Sequence, residues 1–527
     1  MVNGTPQVSS VKEAREALAH LTRTPRGNAG PAIIQILSGL EPRALAPEAI
    51  LDVAEVLRPI GEEVIVACRS GYTDRALPLD GEERGRFAHA MALSGAFEAV
   101  YQRCTDAILA ASPDRQARRH LARALQRSMA CAVGQMIEHY HARRSVGLAA
   151  WQRLQQRMQI ARREKLDAVE VPDPLNPHGA ATPLATYGCA MLLSIAQAGA
   201  MTHRSLDATL ALAALFAHLV ELAMLDHSEG SDVRADPQTG MAEVGIQRTG
   251  RIRVVVVGGV THVINITKID AALNRCIQHL AEGGSPEQIG LGFVARADLA
   301  ALLPRLRRIW CGGGEIRETA RRPLQERSAV AIGFQEIYRF ASPQPLNIPD
   351  EFELYKPNQE SVRLPRILAP NHEGNPLEFW QTLDHSASGM RAKRSQPGAR
   401  LRRGQLLAVY FNSMQHEAGF ALAEVRWLQQ FTDSDAGGIA AGVRFLSSEV
   451  GVALARVFGL VPEHYQTVGP AFVLNRSDPI QMVLPTGWFA RGRKLDLWYR
   501  GQLSSVRLTA LRARGADYEI VVYELIR

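Results

Sequence analysis

The chain is short of lysine. Of its 60 basic residues only Lys12, Lys165, Lys268, Lys356, Lys393 and Lys494 are lysines, so the formal charge of +7 is carried by arginine. Arginine presents a planar fork of donors that grips phosphate and stacks on bases, whereas lysine is a point charge. Most of the excess is expected on solvated helix faces, and the net charge alone implicates no polyanion. Aromatic residues are scarce at 6%, which argues against the basic and aromatic interleaving of a DNA- or RNA-binding face. Cysteine is scarce too. Cys68, Cys104, Cys131, Cys189, Cys276 and Cys311 are scattered, with no two spaced for a metal knuckle or redox pair, so reduced thiols and a cytoplasmic location are expected.

Long hydrophobic runs are also missing. Residues 1–10 are polar and lack a signal-peptide core. Residues 184–201 carry no charge but are at the lower limit of a span, and 206–225 would bury Asp207 and Glu221. A buried antiparallel helix pair is expected there, with no membrane span. Among catalytic signatures, no phosphate-binding P-loop, strained serine elbow or plausible Cys/His pair is present. Gly290-Leu-Gly292-Phe-Val-Ala295 follows a turn rather than the strand that a dinucleotide fingerprint requires. In Glu138-His139-Tyr140-His141 the two histidines diverge by about 200° on a helix and cannot grip one ion from one face. They read as solvated or capping side chains. Glu221, Asp226 and His227 show no convergence either. No metal, cofactor or enzymatic activity is expected.

With 527 residues the chain exceeds one core, and its pattern divides it. Ser10-Val-Lys-Glu13 has a capping-box spacing, and helical periodicity covers 84–111, 113–142 and 146–166. Gly, Ser, Asp and Pro gather at 229–240. Two apolar runs around Gly258-Gly259 predict a hairpin over 251–266, then helices over 268–283 and 296–310. Beyond about residue 328 the pattern is strand and turn, except for a short helix predicted over 448–458. Ile439, Ala441, Val443 and Phe445 alternate with Ala440, Gly442 and Arg444 as a half-buried strand should. The expected organisation is an α+β multidomain chain: a helical domain (1–235), a mixed α/β connector (236–315), a β-barrel (316–458) and a β-rich C-terminal extension (459–527).

One constellation carries chemistry. An arginine-rich loop, Arg317-Glu-Thr-Ala-Arg321-Arg322-Pro-Leu-Gln-Glu-Arg327, leads into an apolar strand. Some sixty residues later comes Asp384-His-Ser386-Ala-Ser-Gly389. Guanidinium groups can bond phosphate and stack on base faces, while the turn supplies acceptors and hydroxyls. Gly312-Gly313-Gly314-Glu315-Ile316, reminiscent of the turn signature of diguanylate cyclases, follows a helix rather than tipping a hairpin and reads as a loop.

The ordered set resembles the PilZ domain, the bacterial receptor module for cyclic di-GMP. That family shows an Arg-x-x-x-Arg loop, then Asp/Asn-x-Ser-x-x-Gly, a strand opening after Gly, a Val-x-Trp-like strand and a Gly-Val-x-Phe strand. Here the later parts are Gly404-Gln-Leu-Leu, Val425-Arg-Trp427 and Gly442-Val-Arg-Phe445. The resemblance covers roughly 317–458 and implies a six-stranded antiparallel barrel. It implies cyclic di-GMP as ligand, held by Arg321, Arg322 and Arg327 with Arg317 behind them, and by Asp384, Ser386 and Gly389. The arginine spacing departs from the family's, since Arg327 rather than Arg321 stands three residues before the first valine of the strand. Residues 341–376 look like an insertion. The implied protein is a second-messenger receptor that relays occupancy through its helical half to a protein partner or a second copy. The alternative is a degenerate barrel serving only as a structural or interaction module.

Overall fold

The computed structural model describes residues 10–21, 26–41, 45–225, 245–246, 252–257, 260–312, 322–341, 377–410, 420–431, 438–457, 468–475 and 477–526. The chain divides into two compact units, Met1–Arg75 with Leu79–Ile316, and Ala76–Pro78 with Arg317–Arg527.

The first unit is mostly helical. It contains α1 (Val11–Leu21), α2 (Arg26–Gly39), α3 (Pro47–Arg69), α4 (Gly81–Ala110), α5 (Arg115–His141) and α6 (Leu148–Arg163). After the small pair β1 (Val171–Pro172) and β2 (Ala180–Ala181) come α7 (Pro183–Ile195) and α8 (His203–Phe216). Caps fix the starts of these helices. Asp80 and Glu83 close a reciprocal capping box on α4, Asp114 accepts from Ala117 N–H on α5, and Thr202 accepts from Ser205 N–H on α8. The Ser10 hydroxyl likewise accepts from Glu13 N–H at 3.3 Å.

A small antiparallel sheet follows, in the order β3 (Glu221–Leu225), β6 (Val260–Asn265), β5 (Ile252–Val257), β4 (Gly245–Ile246). The expected hairpin is β5–β6, closed at Val257 opposite Val260. The apolar run 206–225 is not one helix: α8 ends at Phe216 and the chain re-emerges as β3. Helices α9 (Thr267–Ala281) and α10 (Arg296–Cys311) bury Leu273, Leu303 and Trp310 in one core with Trp151, Met191 and Phe216. Trp310 Nε1 donates to Leu192 O at 2.9 Å, which satisfies the buried indole. None of the six cysteines takes part in a disulfide. Among the described residues no helix is long and apolar enough to cross a membrane.

Arginine is not confined to solvated faces. Arg127, 1% exposed, lies 3.0 Å from both Glu55 and Asp173, and Arg58 reaches Asp173 at 2.6 Å. Tyr101 donates to Glu55 at 2.6 Å, so this interior cluster is held by charge-assisted bonds.

The second unit holds two closed six-stranded antiparallel barrels. The first comprises β7 (Arg322–Ile332), β8 (Leu377–Ser386), β9 (Gly389–Arg394), β10 (Leu406–Tyr410), β11 (Ala421–Gln430) and β12 (Ile439–Ser447). Its order is β10-β11-β12-β9-β8-β7, closed by β7 against β10 with Val330 opposite Val409. Helix α11 (Phe334–Ala341) follows β7. The second barrel comprises β13 (Val450–Val457), β14 (Val468–Leu474), β15 (Gln481–Pro485), β16 (Lys494–Tyr499), β17 (Gln502–Arg514) and β18 (Tyr518–Leu525), in the order β13-β14-β15-β18-β17-β16.

The short helix expected over 448–458 is therefore a strand. Its β-branched Val450, Val452 and Val457 suit a pleated surface, and β13 pairs with both β14 and β16 to close the barrel. Leu406, Leu422, Ile337, Leu454, Phe472 and Tyr518 form one apolar cluster spanning both barrels. Backbone contacts join them too: Ala516 N–H donates to Gly404 O at 2.7 Å, and Asp517 accepts from Leu406 N–H at 2.8 Å. The segment Ala76–Pro78 belongs to this unit, with Leu77 bridging Leu401 through reciprocal backbone bonds.

Candidate functional site

Strand pairing decides which sequence-chosen residues meet. Strand β7 starts at Arg322, and its antiparallel partner β8 runs toward the turn Ala387–Ser388. The register sets Arg322 opposite His385 and Pro323 opposite Asp384. Arg322, exposed, thus stands beside the Asp384–Gly389 turn, as the resemblance implies. Arg327 does not. It lies opposite Gln381, three residues back along β8, or about 10 Å at strand rise. There its guanidinium sits 5.9 Å from the Phe379 ring centroid. Arg317 and Arg321 lie outside the described residues, as does most of the insertion expected over 341–376.

The turn is built by its own polar groups. Asp384 is held by Arg391 at 3.0 Å. Ser386, buried, donates its hydroxyl to Gly389 O at 3.3 Å, and Ser388 O accepts from Phe445 N–H at 3.0 Å. Gly389 has a packing reason for its identity: a Cβ there would lie 2.2 Å from Val443 O on β12. Gly442 has one as well, since a Cβ there would strike the Trp427 indole. The Gly-Val-x-Phe and Val-x-Trp elements are thus two halves of one close strand contact.

The same corner holds cations that the motif reading missed. Arg444 lies opposite Gly389 and reaches Glu424 at 2.7 Å, with Arg426 at 3.4 Å from the same carboxylate. Arg391 projects outward while its neighbours Met390 and Ala392 are buried. The alternation Met390-Arg391-Ala392-Lys393 contained that signal, since period two sends every second residue to solvent. Arg322, Arg391 and Arg444 are each exposed; Arg391 and Arg444 take outward positions on neighbouring strands, while Arg322 lies at the start of β7 in the row of His385. Such a surface can bind an anionic, planar ligand through charge-assisted bonds and stacking.

The helical unit carries a second polar cluster. Glu138 is buried at the end of α5 and accepts from Arg69 at 3.1 Å and from the Tyr72 hydroxyl. Burial raises the Tyr72 hydroxyl far above its usual range, reinforced by Glu138. The histidines after Glu138 are not solvated or capping groups, as the sequence suggested. Burial, with Arg144 nearby, pushes His139 down to about 4, and His141 falls to about 3 through burial, Arg69, His203 and Arg143. Glu221, exposed, accepts from Lys268 and Asn265, while Asp226 and His227 lie outside the described residues.

Residues 12–228, somewhat less than half of the chain, match the family model described as the N-terminal domain of the cyclic-di-GMP receptor FimW. The match covers the helical part preceding the second strand of the small sheet and does not include the barrels. No curated protein matches the chain.

Proposed function

We propose that the protein is a receptor, rather than an enzyme, for cyclic di-GMP, and that the nucleotide binds at the Arg322/Asp384–Gly389 corner of the first barrel. The observation that carries this reading is the β7–β8 register, which sets Arg322 beside an Asp-x-Ser-x-x-Gly turn in a closed six-stranded barrel. The similarity of residues 12–228 to the N-terminal domain of a cyclic-di-GMP receptor supports the same ligand independently of the barrel motifs.

In this reading Arg322 and Arg391 engage phosphate oxygens and guanine faces, with Arg317 and Arg321 completing the set. Asp384 exchanges its bond to Arg391 for donors on a guanine edge. Ser386 and Gly389 shape the turn: the first bonds the Gly389 carbonyl, and the second allows β9 to lie against Val443. Ligand exchange at Asp384 shifts the population between two arrangements, and the helical unit passes that shift to a protein partner or a second copy.

Calorimetric titration of the full chain with cyclic di-GMP tests this. Arg322→Ala and Asp384→Ala each remove a charge-assisted contact worth about 1.5–3 kcal/mol, so each weakens binding roughly 10- to 150-fold. Absence of heat with the wild-type chain at high micromolar nucleotide would overturn the reading.

A second reading is favoured by the location of the family match. The helical unit would hold the nucleotide, and the barrel would be an interaction module. Wild-type binding that survives in both corner variants selects it.

A further inference from the structure

His141 is the last residue of α5, and its side chain has no solvent exposure. Neither of its ring nitrogens has a hydrogen-bond partner. Leaving a buried imidazole unbonded is costly, so the group calls for a ligand. It faces the first turns of α8, where His203 and Asp207 stand four residues apart on one helix face. The Nε2 of His203 is 3.4 Å from Asp207 Oδ2, and the Nε2 of His141 is 3.9 Å from Asp207 Oδ1. One donor atom from each of the three residues lies within 4.8 Å of the others. The two imidazoles meet edge to face, with centroids 5.8 Å apart.

From this convergence we infer that His141, His203 and Asp207 form a binding site for a divalent transition-metal ion of the zinc class. Two imidazoles and one carboxylate are a borderline-to-hard donor set that zinc, cobalt and nickel accept, and three protein ligands leave a fourth position for water or another group. Donors about 2.0–2.2 Å from a tetrahedral ion lie about 3.4 Å from one another. One pair already has that separation, and rotation about side-chain torsions closes the rest.

Access exists, because His203 and Asp207 are 42% and 38% exposed while His141 seals the inner side. The neighbouring cations do not leave a net positive site. Arg69 is paired with Glu138, and Arg143 donates to Met201 O and lies 3.7 Å from Asp74. Asp207 supplies the site's own negative charge. A bound ion would fasten the end of α5 to the start of α8, 62 residues later in the chain.

This site does not rest on the nucleotide reading, and its test uses no nucleotide. The full chain, stripped with a chelator, is titrated with Co²⁺ and followed in the visible region. One equivalent is expected to give the d–d bands of a four-coordinate nitrogen and oxygen site, displaced by Zn²⁺. His203→Ala and Asp207→Asn change partly exposed side chains and should leave the metal-free melting curve in place. Each should weaken the metal about 100-fold or more, beyond the 10–100-fold typical of losing an outer-shell partner. Zn²⁺ at a hundredfold excess over Kd should raise the melting temperature of the wild-type chain by a few degrees and leave both variants unmoved. Absence of bands, a thiolate-to-cobalt charge-transfer band, or binding unchanged in both variants would each overturn the inference.

Discussion

Gly389→Ala separates a packing role from a ligand role at the proposed nucleotide site. The glycine pairs with Arg444 across β9 and β12, and an added Cβ would lie 2.2 Å from Val443 O and 3.2 Å from its carbonyl carbon. Real Cβ contacts essentially never fall below 3.0 Å, so the two strands must part by at least 0.8 Å, the difference between 3.0 and 2.2. Such a movement takes the neighbouring 3.0 Å bond from Phe445 N–H to Ser388 O out of hydrogen-bond range. Overpacking strain contributes about 1–3 kcal/mol and the broken bond, whose Ser388 end is exposed, about 0.5–1.5 kcal/mol, for a destabilisation of about 1.5–4.5 kcal/mol. At about 2–4 °C per kcal/mol, the barrel transition should fall by at least about 3 °C. Hydrogen exchange gives the local readout: amides of Met390–Arg394 and Ala440–Arg444 should lose protection, while those of α4 and α5 keep theirs. Nucleotide binding falls only as a consequence, and conditions that restore the barrel should restore it. A Gly389→Ala chain that melts and exchanges like wild type would refute the packing argument.

Asp517 gives a pH dependence with a definite sign. Burial raises its carboxyl from 3.8 to about 6 despite the Leu406 N–H that it accepts. The folded state therefore holds this proton more tightly than the unfolded one, so its contribution is full below about pH 4 and is lost as pH rises through 6. Relative to Asp517→Asn, which keeps an acceptor oxygen, wild type should lose about 2–3 kcal/mol between pH 4 and pH 7. Parallel denaturation curves for the two chains across that range would contradict this. Arg127→Met should cost about 3–5 kcal/mol, because Glu55 and Asp173 lose a shared cation in a buried setting. Adding Glu55→Gln and Asp173→Asn should recover part of the loss in urea titrations; equal stability of wild type and Arg127→Met would rule out the network as a support.

The parts legible in the sequence were those governed by local periodicity. Helices α4 and α5 follow apolar spacing and begin at Asp80 and Asp114, and the two apolar runs β5 and β6 pair antiparallel. The strands that carry Trp427 and Gly442 were legible from their sequence alternation, although Ala421–Val425 and Ile439–Val443 are buried at every position. Periodicity failed at β13, where Val450 to Val457 is apolar at nearly every position and satisfies a helix as well as a strand. Its identity depends on partners 12–46 residues away in β14 and β16, and the closure of the second barrel depends on it in turn.

The arginine excess shows the same limit from the side of charge. A codon bias places arginines anywhere, but the fold buries only those that find a carboxylate. Arg394 meets Glu378 at 2.8 Å inside the first barrel, Arg456 meets Asp496 at 2.5 Å inside the second, and Arg127 meets Glu55 in the helices. None of these pairs is close enough in sequence to announce itself. The same holds for His141: its two-residue spacing from His139 argues against a shared ion, and the partners that complete its surroundings sit on α8. Motif reasoning locates Asp384, Ser386 and Gly389 because a turn is local. Their neighbours across the sheet, Arg322 opposite His385, Arg391 opposite Asp384 and Arg444 opposite Gly389, are set by strand register, and register is a property of the whole barrel.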